Sequence, residues 1–210
     1  MSPRRTTGIS LKKQPQQARS AELVSAILDA AVQVLAKEGA QRFTTARVAE
    51  KAGVSVGSLY QYFPNKAAIL FRLQSDEWRQ TTEMLRTILQ DNSKSPFERL
   101  RTLVHVFIRS ECDEAEVRVA LDDTAPLYRD APEAREARAA GDGVLQAFMA
   151  EALPKASDAT REQAGDLIMT TLTTVGKQFS ESPRSPAEIE AHADAMADMF
   201  CAYLKALKHS

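Results

Sequence analysis

The sequence predicts an all-α protein, and three observations carry that expectation. Apolar residues recur at intervals of three and four along most of the chain, the spacing of one helical face. The eight glycines and nine prolines fall mostly at breaks between these stretches. No segment alternates apolar and polar residues with the period of a strand, and no repeat is visible.

The chain has 210 residues, 44% hydrophobic and 26% charged. These values are ordinary for a globular protein able to bury a core without covalent staples. Two cysteines, Cys112 and Cys201, give neither a disulfide framework nor metal-ligand spacing, and point to a reducing cytoplasm. No metal and no cofactor are expected. No apolar run reaches the ~20 residues of a membrane span. The basic N-terminus lacks the apolar stretch of a secretory signal, so no membrane partner is expected.

The elements follow in order. Residues 1–17 are rich in Arg, Lys, Gln, Pro and Ser and read as a flexible basic arm. A first helix over 19–38 carries the stripe Val24, Ile27, Leu28, Ala31 and Leu35, closed by Gly39. A second spans 45–52, with Thr44 or Thr45 as cap and Val48, Ala49 and Ala52 inward. Gly53-Val54-Ser55 turns into a third helix, 56–62, which Pro64 ends. Asn65 caps a fourth, 66–89. Helices are expected near 96–111, 114–122, 132–152, 157–180 and 186–208, which makes nine. Pro and Ser clusters separate several of them.

The charge is unevenly spread. Net charge is -1 overall, yet residues 1–66 hold ten Lys or Arg against four acids, a net +6. The remainder carries 17 bases and 24 acids, a net -7. A basic N-terminal module that meets a polyanion fits this asymmetry.

The two short helices around Gly53 have the pattern of a helix-turn-helix. Gly53 supplies a left-handed backbone, Val54 plugs the corner, and Ser55 caps the next helix. Leu59 and Phe63 face the core. The other face is expected to present Val56, Gly57, Tyr60, Gln61 and Tyr62, an unusual set for a merely solvated surface. Tyrosine hydroxyls suit phosphates, glutamine suits adenine edges, and glycine lets backbone approach DNA.

The segment Phe43–Leu70, FTTARVAEKAGVSVGSLYQYFPNKAAIL, resembles the DNA-binding domain of TetR-family transcriptional regulators. The likeness runs from Ala26 to Leu70 and is most specific at Gly57-Ser58-Leu59-Tyr60-Gln61-Tyr62-Phe63 followed by Asn65-Lys66. It implies a helix-turn-helix DNA-binding domain over 18–66 and an effector-binding and dimerisation domain over 67–210. Thr44, Thr45, Tyr60, Tyr62 and Lys66 match positions that meet phosphates, and Arg47, one turn into the second helix, can add a phosphate contact or stay in solvent. Thr44 serves equally as a plain helix cap. Ser55, Val56, Gly57 and Ser58 match the start of the recognition helix, and Gln61 a variable position that can read bases. Arg4, Arg5, Lys12 and Lys13 of the arm can enter the minor groove or stay in solvent.

The resemblance further implies a small-molecule effector pocket and a homodimer through the last two helices, pairing as a four-helix bundle. Trp78, Phe107, Tyr128, Phe148 and Met169 are the lining candidates, suited to an apolar or aromatic ligand. His105, Arg109, Glu111 and Asp122 can add polarity. The expected protein is a ligand-responsive dimeric repressor on a palindromic DNA operator. A DNA-binding architectural or activator protein without effector is the alternative. Three scattered histidines and the lack of a phosphate loop or nucleophile motif argue against an enzyme.

Overall fold

Serine and threonine caps set where five of the helices begin. The computed structural model describes residues 8–12, 18–134 and 142–209, and among these there are nine α-helices with both ends described, a further helical stretch at 132–134, one 3-10 turn and no strand. They are α1 (Ala18–Arg42), α2 (Thr45–Lys51), α3 (Val56–Tyr62), α4 (Lys66–Leu89), α5 (Pro96–Asp113) and α6 (Ala115–Thr124). The 3-10 turn Ala125–Leu127 follows, then α7 (Asp142–Ala152), α8 (Asp158–Ser180) and α9 (Pro186–His209). Part of the helix expected over 132–152 lies outside the described residues. No described helix is long and apolar enough to cross a membrane.

Packing divides the chain into two units. One comprises Met1–Arg79 and Glu116–Ala139, the other Gln80–Ala115 and Ala140–Ser210. This differs from the boundary expected at residue 66. The first half of α4 belongs with the helix-turn-helix, and so does α6.

The first core contains the α1 stripe Val24, Ile27, Ala31 and Leu35 with Val48, Leu59 and Phe63. Gly39 interrupts α1 at φ 72°, ψ 172°, a backbone suited to glycine, so the helical turn beyond it is a separate piece. Tyr128 is buried in the same core. Its hydroxyl donates to Gln74 Oε1 at 3.1 Å and to the Leu121 carbonyl at 3.2 Å. Arg118 Nη1 meets Glu77 Oε1 at 2.5 Å and adds a charged tie between α6 and α4.

The second core joins α5, α7, α8 and α9 around Leu103, Phe107, Phe148, Ile168, Leu172 and Phe200. Arg99 is 1% exposed within it. Its Nη1 donates to the Leu89 carbonyl at 2.6 Å, its Nη2 pairs with Glu151, and its guanidinium lies over Phe148. A ladder of charges runs along the α5–α9 contact. Arg101 pairs with Asp198 and with Asp194; His105 lies 3.2 Å from Asp194 and 3.4 Å from Glu190; Arg109 reaches Glu190 at 3.2 Å.

Candidate nucleic-acid interface and internal cavity

The helix-turn-helix is built from local bonds. Thr44 Oγ1 accepts from the Arg47 amide at 3.3 Å and caps α2. Gly53 adopts φ 67°, its amide bonded to the Glu50 carbonyl, and the Val54 amide bonds to Ala49. Val54 packs partly buried on the first core. Ser55 Oγ accepts from the Ser58 amide at 3.0 Å and caps α3. Asn65 Oδ1 accepts from the Ala68 amide at 2.9 Å and opens α4.

This frame fixes which side chains of α3 point outward. Leu59 and Phe63 are fully buried. Val56, Gly57, Tyr60 and Gln61 are exposed, and Ser58 is half-buried. Tyr62 departs from expectation: it is 6% exposed and belongs to the core. Residues 59, 62 and 63 stand in the i, i+3, i+4 relation of one helical face, so Tyr62 turns inward with its neighbours. Tyr60 points away, and its hydroxyl is 3.1 Å from Thr45 Oγ1. That contact brings two hydroxyls from α2 and α3 together on the outer surface. Lys66 is exposed at the start of α4. Arg47 is engaged with Glu38, so a phosphate would have to compete for its guanidinium.

The expectation of a loose arm over 1–17 needs correction at residues 8–12. Ile9 is 6% exposed and Leu11 packs on the first core. The Lys12 amide donates to the Tyr62 carbonyl at 2.9 Å, and Lys12 Nζ to the Tyr60 carbonyl at 3.4 Å. Lys12 thereby satisfies carbonyls at the C-terminal end of α3 and sets a positive charge there, which the helix dipole favours. Arg4, Arg5 and Lys13 lie outside the described residues. A single isoleucine and leucine amid polar residues left no periodic signal of this docking.

A cavity of about 660 Å³ lies within the second unit. Leu85 and Leu89 of α4, Leu145 and Met149 of α7 and Gly165 and Met169 of α8 give it apolar walls. Of the five expected lining residues, Met169 is the one found there. Phe107 and Phe148 are buried in the second core, while Tyr128 and half-buried Trp78 belong to the first unit. Leu85, Leu89 and Met149 line it instead. Short, spaced apolar residues on three helices gave no sequence sign that they share a cavity rather than a filled core.

His105, Glu190 and Asp194 offer ligand atoms within 4.8 Å of one another, a set a metal ion can use. Arg101 and Arg109 already bring positive charge to these carboxylates, so the arrangement serves as a clamp between helices. Burial pushes the thiols of both Cys112 and Cys201 up, which favours their protonated form over the thiolate.

A helix-turn-helix with an outward polar and aromatic recognition face, joined to a helical unit containing a cavity, defines a DNA-binding transcriptional regulator. Sequence profiles agree in both halves. The profile of bacterial regulatory proteins of the TetR family matches residues 27–73, and that of the tetracyclin repressor-like C-terminal domain matches residues 95–207. The chain belongs to the TetR family.

Among curated relatives, the nucleoid occlusion factor SlmA of Vibrio campbellii is 37% identical over 83 residues, 39% of this chain and 42% of that protein. The fatty acid metabolism regulator protein of Bacillus subtilis is 34% identical over 67 residues, 32% of this chain and 34% of that protein. The chain thus spans about two fifths or less of the length of these relatives. Among solved structures, the fatty acid degradation regulator FadR of Bacillus halodurans superposes with TM-score 0.65 at 20% identity, covering 90% of this chain and 96% of that one. FadR of Bacillus subtilis in complex with stearoyl-CoA gives 0.63 at 18% identity, covering 84% and 96%. At these identities the likeness is one of fold.

Proposed function

We propose that the chain is a cytoplasmic, homodimeric repressor that leaves a palindromic DNA operator when a small apolar or aromatic effector occupies the second unit. The exposed recognition face of α3 carries this reading. Val56, Gly57, Tyr60 and Gln61 stand outward while Leu59, Tyr62 and Phe63 hold the helix to its core. Tyr60 and Thr45 present adjacent hydroxyls to a phosphate, with Lys66 beyond them and Lys12 at the end of α3. Gln61 is free to meet a base edge in the major groove. Val56 has no hydrogen-bonding group and can meet only a thymine methyl.

Dimerisation is supported by seams that the single chain leaves uncovered. On α9, Ala191, Ala195, Met199, Ala202 and Ala206 are exposed at helical spacing. On α8, Leu167 is 51% exposed and is followed along the helix by Thr170 and Thr174. Small residues beside aliphatic ones let helices approach closely. The cavity, and the stearoyl-CoA held by the B. subtilis structure of similar fold, support an effector with an apolar portion.

The test begins with selection of bound DNA from a random pool, followed by a screen for compounds that release it. Binding should fall steeply with salt, because phosphate contacts release counterions. Lys66→Ala should weaken all sequences about equally. Gln61→Ala should alter preference at one base, by about 1–3 kcal/mol. An unchanged preference profile would remove Gln61 from base reading.

The likeness to nucleoid occlusion factors favours a second reading, an architectural DNA-binding protein without effector. Operator release by a compound that occupies the cavity decides for the first reading.

A further inference from the structure

The rim of the cavity differs in charge from its walls. Asp158, Glu162 and Asp166 recur every four residues along one face of α8, and all three border the cavity. Arg161 is the basic residue among those lining it. Each of its three nitrogens is engaged: Nε with the Leu153 carbonyl at 3.0 Å, Nη1 with Asp158 at 2.9 Å, and Nη2 with the Pro154 carbonyl at 2.9 Å. Arg161 therefore neutralises Asp158 and is held by the turn that leads into α8. Glu162 and Asp166 remain as two exposed carboxylates at the mouth of an apolar chamber.

The geometry points to a lipophilic cation as the occupant: an apolar body with a quaternary ammonium or amine head. The assignment rests on the effector reading above and deepens it. About 660 Å³ is room for a drug-sized molecule. Met149 and Met169 supply flexible, polarizable walls that adapt to varied apolar shapes. A cationic head placed at Glu162 and Asp166 keeps its water on one side and gains two opposite charges on the other. The same carboxylates repel a fatty acid or an acyl thioester with phosphates, so the rim selects by sign as well as by size.

Calorimetric titration of the full chain with matched-tail probes below their micellar concentrations tests this. Dodecyltrimethylammonium should bind and dodecanoate should bind at least about ten-fold more weakly, the effect of roughly 1.4 kcal/mol. The double variant Glu162→Gln, Asp166→Asn changes only exposed side chains and should fold. It should bind the ammonium about ten-fold more weakly and dodecanoate no more weakly than before. Met169→Trp, which adds bulk to one wall of the chamber, should weaken binding of the ammonium while both carboxylates remain; if it does not fold, the carboxylate pair decides alone. Dodecanoate binding as tightly as the ammonium, or a double variant with unchanged ammonium affinity, overturns the assignment. Operator release is read separately. Ammonium binding without release leaves the occupant's class standing and sinks the ligand-responsive reading. Release by the anion alone does the reverse.

Discussion

A Cβ added at Gly57 would meet Ser55 Oγ at 3.8 Å and nothing nearer, and Gly57 has no positive φ. The fold therefore tolerates alanine there, and helix propensity favours it by about 1 kcal/mol. Glycine is useful only if something outside the chain comes close to this backbone. Gly57→Ala should melt at the same or higher temperature and bind DNA less tightly; normal DNA binding would show that no close approach occurs. Tyr62 behaves oppositely. Its burial means that Tyr62→Ala should cost about 3–5 kcal/mol, as for other large aromatic truncations, visible in denaturant unfolding. Tyr60→Phe removes only the hydroxyl near Thr45, so it should spare stability and weaken DNA binding. The outward set Val56, Gly57, Tyr60 and Gln61 was legible from the sequence because a seven-residue helix has one core face. Tyr62 was misjudged because its hydroxyl suggested a phosphate partner, although the i, i+3 relation to Leu59 placed it inside. Arg99 was legible in principle too, since it falls on the apolar stripe of α5 between Pro96 and Leu103.

Helix starts were read well because caps are local. Ser95 and Glu98 form a capping box at α5, and Ser185 and Glu188 exchange the same bonds at α9. Hydrogen bonds from the Ser95 side chain and backbone hold the Glu98 carboxyl below its ordinary range, and those from the Ser185 backbone and side chain do so for Glu188. A carboxyl depressed in the folded state stabilises it only while ionised. Its contribution is complete above the unfolded glutamate's range, and is lost as pH falls through that range to the lower folded value. Thermal melts should therefore lose stability on acidification through the glutamate range. The pair Glu98→Gln, Glu188→Gln should start less stable at neutral pH and lose less on acidification. Equal acid sensitivity in variant and parent would remove the two boxes as its source. Only helices with such end signals were sharply bounded in the sequence. The break at Gly39 was located, but the helical turn after it was not, because Ala40, Gln41 and Arg42 carry no apolar pattern.

At the scale of the whole molecule, the sequence revealed where helices lie among the described residues but not how they are partitioned. Burial of Leu121 and Tyr128 with the helix-turn-helix joins residues far apart in sequence, and no local period encodes such a contact. The same limit affected the choice of interface residues. Leu172 and Phe200 are large apolar residues on the two helices expected to pair, yet they are 0% and 3% exposed in the single chain. They hold the second unit together, so Leu172→Glu or Phe200→Glu should unfold it by burying an unpaired charge. Leu167 and Met199, each 51% exposed, are the large apolar residues available to the proposed interface with a second copy. A glutamate at either costs the single chain little, but within a helix-to-helix interface it faces its own copy and desolvates. The double variant Leu167→Glu, Met199→Glu should keep its helical circular dichroism and sediment as a monomer at concentrations where the parent is a dimer. Its affinity for a palindromic operator should fall toward that of one half-site, because the second recognition helix is no longer tethered. A double variant that still sediments as a dimer places the interface elsewhere. A parent that sediments as a monomer at micromolar concentration removes both the bundle and the expectation of a palindrome.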